Sequence, residues 1–127
     1  IESDLSEESR KVLERIGRFN PGLADGIMRD MKELRSSDRE DVMKILIKKI
    51  ESGDIESNVY SLLFVNFSDY RGEIIEAIKR ANKQLEAGDL PSFKAMYSED
   101  KDAIENLLNE LKNVKQEIKD RIMKTGD

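Results

Sequence analysis

Three pairs of acidic residues carry the spacing in this chain best suited to chemistry: Glu73-Ile74-Ile75-Glu76, Glu86-Ala87-Gly88-Asp89 and Glu99-Asp100-Lys101-Asp102. Carboxylates three residues apart on a helix share a face, and oxygen ligands of this kind hold hard cations such as Mg²⁺. A pair of such pairs could anchor a metal ion and, through it, a phosphorylated substrate. Few other chemistries are open. The chain has no histidine, no cysteine and no tryptophan, which excludes disulfides, thiolate nucleophiles, Ser–His and Cys–His catalysis, and zinc or di-iron sites that need those ligands.

An ExxE pair followed by an ExxD pair resembles the magnesium site of the all-α nucleotide pyrophosphohydrolases, the MazG-like family, and GEIIEAIKR with LEAGDL is similar to that family's helices. The resemblance is confined to residues 72–102. It implies a Mg²⁺ cofactor held by Glu73, Glu76, Glu99 and Asp102, since that second pair keeps the family's interval. With Glu86 and Asp89 as the second pair the interval is too short, and Gly88 and Pro91 mark a helix end where the family has a continuous helix. A plainer reading ranks first. Acids are abundant, 27 of 127 residues, and at these positions they solvate helix faces or cap a helix N-terminus. Lys48-Lys49 and Lys79-Arg80 read as solvated faces too, because no glycine-rich loop accompanies them to cradle a phosphate.

The elements that would position these groups are helices. Apolar residues recur with the 3.6-residue period, no segment shows convincing strand alternation, and both prolines stand where helices begin. The expected helices cover about 6–18, opening on Ser3-Asp4 or Ser6, then 21–35 and 38–52, the last with Ser37 and Glu40 as a capping box. Residues 55–67 follow. Their run Val59-Tyr60-Ser61-Leu62-Leu63-Phe64-Val65-Asn66-Phe67 is apolar around nearly the whole circumference, which marks a buried helix rather than a lone strand. A fifth helix covers 69–87 and ends at Gly88, a short piece carries Phe93, Met96 and Tyr97, and the longest helix covers 99–124. In that helix Ile104, Leu107, Leu111, Val114 and Ile118 alternate three and four apart. The fold expected is an all-α, up-and-down bundle of five to six helices with a single core, one domain over residues 1–127.

One echo runs through the chain. Ile50-Glu-Ser-Gly-Asp-Ile-Glu-Ser57 recurs 35 residues later as Leu85-Glu-Ala-Gly-Asp-Leu-Pro-Ser92. That interval is close to the helix–turn–helix period of peptide-binding solenoids. Turn chemistry accounts for it more simply, with glycine closing one helix and aspartate opening the next.

Charge narrows the partners. With 22 basic and 27 acidic residues, a net charge of −5 and no basic stripe, the chain lacks the electrostatic footprint of a nucleic-acid or membrane binder. The acidic opening IESDLSEES has no signal-peptide pattern, so the cytoplasm is the expected location. Elimination leaves a non-catalytic interaction or scaffold module, without cofactor, that binds a protein partner or another copy of itself. Tyr60, Phe64, Phe67 and Tyr70, at roughly helical spacing, are the candidate interface, with the core as their alternative place. The magnesium-dependent pyrophosphohydrolase is the alternative function.

Overall fold

Helices account for all the regular structure that the computed structural model describes, which comprises residues 4–124. Among them lie eight α-helices: α1 (Glu7–Gly17), α2 (Ala24–Glu33), α3 (Ser36–Glu51), α4 (Tyr60–Asn66), α5 (Arg71–Ala81), α6 (Leu90–Glu99), α7 (Lys101–Glu110) and α8 (Gln116–Met123). Single 3₁₀ turns at Pro21–Leu23, Ser57–Val59, Ser68–Tyr70 and Ala87–Asp89 lead into α2, α4, α5 and α6. None of the described helices is long and apolar enough to cross a membrane. The all-α bundle is as expected, with more and shorter helices.

Local chemistry explains most of the helix starts. Ser6 caps α1, its hydroxyl accepting from the Ser9 amide at 3.1 Å, whereas the other candidate, Ser3, lies outside the described residues. Asn20 caps the turn that carries Pro21 at its first position. The capping box drawn at Ser37 and Glu40 does not form, because α3 starts two residues earlier, after Arg35, with no side-chain cap. A capping box forms instead at Glu86 and Asp89, where the Asp89 carboxylate accepts from the Glu86 amide at 2.8 Å.

Two helix ends differ from expectation, and in both a distant partner decides. The long helix expected over 99–124 is two helices, α7 and α8, with Glu99 left at the end of α6. Asp100 stops α6 and caps α7, its Oδ1 accepting from the Ala103 amide at 3.1 Å, and the chain leaves the helix at Leu111 before α8 begins at Gln116. No glycine or proline marks that second break, and the apolar stripe stays in phase across it. The break lets α7 lie on α4 and α6 while α8 lies on α6. The fifth helix ends at Ala81 rather than at Gly88. Asn82 takes the left-handed conformation at φ 54°, which asparagine tolerates better than most residues, and its side-chain oxygen accepts from Asn113 Nδ2 at 2.7 Å.

Alternate helices lie side by side. α1 packs on α3 and α3 on α5, while α2 packs on α4, α4 on α6 and α6 on α8. Ion pairs at both ends show that α3 and α5 run parallel, Arg39 with Asp69 at 2.9 Å and Arg80 with Glu51 at 2.6 Å. The stack has a period. From Arg39 onward, hydrogen bonds between distant side chains and their partners join residues 27 to 32 apart, among them Lys83 to the Gly53 carbonyl at 2.9 Å and Ser57 to Asp89 at 2.8 Å. Element boundaries repeat at the same interval: α3 ends at Glu51 and α5 at Ala81, and α4 starts at Tyr60 and α6 at Leu90. Each unit thus leans on the one before it, as in stacked helical repeats.

That period is not the 35-residue interval of the sequence echo. Gly53 sits at φ 81° just past the end of α3, where a Cβ is strained, but Gly88 lies in a 3₁₀ turn without a positive φ and with open space where a Cβ would go. The echo is turn chemistry alone. Gly53→Val is expected to lower stability by about 1–2 kcal/mol, the cost of a side chain in the left-handed region, while Gly88→Val changes it by less than about 0.5 kcal/mol. Thermal melts of the two variants check this, and equal losses would contradict the difference between the turns.

Candidate functional site

Helix α4 is the centre of the core. Tyr60, Ser61, Leu62, Leu63 and Phe64 are all buried, because α2, α5, α6 and α7 close around them. Burying so short a helix leaves the carbonyls of its last turn in need of donors. Two arginines supply them. Arg71, at the start of α5, donates from Nε to the Phe64 carbonyl at 2.9 Å and from Nη2 to the Val65 carbonyl at 3.3 Å. Arg39, from α3, donates to the Asn66 carbonyl at 3.4 Å and to the Met31 carbonyl at the end of α2 at 3.2 Å. Each guanidinium also lies over an aromatic ring, Arg71 over Phe64 at 5.1 Å and Arg39 over Phe67 at 4.7 Å.

The candidate aromatic interface is corrected by this packing. Tyr60, Phe64 and Phe67 are wholly buried, so they build the core and form no surface patch. The helical units on either side of α4 enclose them. Only Tyr70, half-buried in the turn before α5, reaches a surface cleft. The Tyr60 hydroxyl is pushed up to a pKa of about 12, first by burial and then by the negative charges of Asp89 and Glu56. It therefore stays protonated through the ordinary pH range.

The acidic pairs are placed apart in role. Glu73 and Glu76 are exposed on α5, with Glu76 near Lys79 at 3.6 Å; Glu99 is the last residue of α6, and Asp102 lies in the first turn of α7. Among the described residues no three Asp or Glu side chains gather closely enough to hold a metal ion. The four-carboxylate centre implied by the resemblance is not assembled: Glu99 closes α6 while Asp102 opens α7, so the second pair does not share one helix face. The third pair, Glu86 and Asp89, is the capping box described above. Mg²⁺ at millimolar concentration is expected to move the melting temperature no more than a monovalent salt of equal ionic strength, and no nucleoside triphosphate should be cleaved. Saturable stabilisation that is lost in Glu73→Gln and Glu76→Gln, with pyrophosphate released, would restore the enzyme reading.

Among the concave surfaces of the described residues, one has a mainly apolar lining and stands on the stacked helices. Between the parallel helices α3 and α5 runs a cleft of about 550 Å³. Met43, Ile47 and Tyr70 form its apolar floor, and Glu40, Lys44, Lys48, Glu51 and Glu73 stand around it. The expected stripe of α3, Val42, Met43, Leu46 and Ile50, includes only Met43 of this floor. Ile47, one turn after Met43, is the missed signal: it widens the apolar arc of α3 beyond what one buried face needs. No protein-family model, curated protein or solved structure matches the chain significantly, so the functional reading rests on this geometry.

Proposed function

We propose that the chain is a non-catalytic helical interaction module of the cytoplasm that holds a protein partner in the cleft between α3 and α5. The observation that carries this reading is the cleft's apolar floor, where half-buried Ile47 and Tyr70 lie side by side with Met43 within a ring of charged residues. Concave apolar sites ringed by a few polar groups are where proteins take up partners and ligands, and stacked helical repeats present such surfaces along their rows. The net charge of −5 disfavours nucleic acid and anionic membranes as partners.

A displayed random-peptide library selected on the wild-type protein tests the reading, with each binder measured again on Ile47→Glu. Binders are expected to lose tenfold or more in affinity, about 1.4 kcal/mol or above, on a variant whose far-ultraviolet circular dichroism is unchanged. Binders indifferent to Ile47→Glu would place recognition elsewhere and sink the proposal.

A further inference from the structure

Between α7 and α8 the local pattern asks for one helix and the fold makes two. Ile104, Leu107, Leu111, Val114 and Ile118 keep their three-and-four spacing across the gap, and Leu111-Lys112-Asn113-Val114-Lys115 contains neither glycine nor proline. Nothing local stops a helix there. Two residues nevertheless leave the helical conformation, Leu111 at ψ 93° and Lys115 at ψ 141°. Between them the Val114 amide donates to the Leu111 carbonyl at 3.3 Å to close a turn, and Asn113 ties that turn to Asn82 at 2.7 Å. Local preference and tertiary packing thus conflict over residues 111–115.

The attachment of α8 to α6 is apolar. Ile118 and Ile122 are buried and Met123 partly so. Gln116 and Asp120 bond each other at 2.9 Å within α8, and among the described residues no side chain of α8 forms a hydrogen bond or ion pair with another helix. Elements held by few contacts open before the rest of a fold. Opening here uncovers two surfaces at once, the apolar face of α8 and the seat on α6 where it lay. A second copy of this chain matches both, because it offers the same seat and the same helix. The contacts it would make are those already formed within one chain, and exchange of an identical element is a low-cost route to a dimer.

We infer that α8 is an exchangeable element: α7 and α8 join into one helix over residues 101–123, about 34 Å long, and each of two chains lays its α8 on the α6 of the other. This surface for a second copy is separate from the α3–α5 cleft. Within one chain the seat meets its own α8 at an effective concentration of roughly millimolar, so the exchanged dimer forms when the protein is about that concentrated.

Light scattering on protein refolded from urea at millimolar concentration tests this, with the wild type and two hinge variants. Lys112 is the second residue of the turn and follows the extended Leu111, a place that suits proline, whereas proline inside a continuous helix breaks it. Lys112→Pro is therefore expected to keep the monomer and abolish the dimer. Asn113→Ala removes the bond to Asn82 and raises helix propensity in both chains, so the dimerisation constant rises about tenfold or more. The chain has no cysteine, so Asp102→Cys and Arg121→Cys, both at exposed positions, place one defined pair of spin labels. In dimer diluted with unlabelled protein their separation should become about 28 Å, the length of roughly nineteen helical residues. A wild type that stays monomeric, a dimer that survives Lys112→Pro, or a dimer whose labels keep the monomer's separation overturns the inference. So does a dimer lost in Ile47→Glu, since association would then run through the cleft. If Lys112→Pro does not fold, the label separation decides alone.

Discussion

Truncating Leu63 or Phe64 to alanine is expected to cost about 2–5 kcal/mol each, through lost transfer energy and the cavity left behind. Both side chains are fully buried, in a helix of seven residues enclosed by α2, α5, α6 and α7. Collapse into the space is hindered, since the end of α4 is pinned by Arg39 and Arg71 and its start is joined to the next unit through Ser57 and Asp89. Urea denaturation followed by circular dichroism measures the loss. A change below about 1 kcal/mol at both positions would mean that α4 is not the centre of the core, and the aromatic residues would return as an interface.

Arg71→Met should cost about 1–3 kcal/mol, the penalty for leaving buried carbonyls without donors. Methionine keeps the length and apolar character of the stem, so the variant isolates the guanidinium. What is lost is the pair of bonds to Phe64 and Val65 and the contact with the Phe64 ring. The ion pair with Asp100, at 3.4 Å and with both side chains partly exposed, adds little. Arg71→Lys is expected to recover less than half of the loss, because one ammonium cannot reproduce the planar fork that reaches two carbonyls. Denaturation midpoints of the two variants decide the matter. Full recovery by lysine would show that charge alone holds the end of α4.

Much of the candidate site was hidden from the sequence for reasons visible in these residues. Acid pairs at helical spacing are legible along the chain, but whether two pairs converge depends on where the helices between them break. The aromatic residues at 60, 64, 67 and 70 share a spacing yet not a fate, because the turn at Ser68–Tyr70 lifts Tyr70 to the surface while α4 keeps the others inside. Neither Lys48 nor Glu73 stands out from its neighbours. That both line one cleft follows only from α3 and α5 lying side by side.

What the amino-acid sequence determined by itself is what depends on neighbours within a few residues. The 3.6-residue period of the apolar positions dictated helices throughout, the all-round apolar run at 59–67 dictated a buried one, and Ser6, Asn20 and Gly53 marked helix boundaries through their own hydrogen bonds or conformational freedom. The missing histidine and cysteine closed off whole classes of chemistry before any fold was considered. Tertiary structure alone decided the thirty-residue stacking, the break at Leu111 and the left-handed turn at Asn82. Each of these rests on a bond or contact with a partner some thirty residues away, such as Asn113 on Asn82 or Lys83 on Gly53. Contacts of that kind leave no periodic trace, because a single asparagine or lysine suffices to make them and most asparagines and lysines make none.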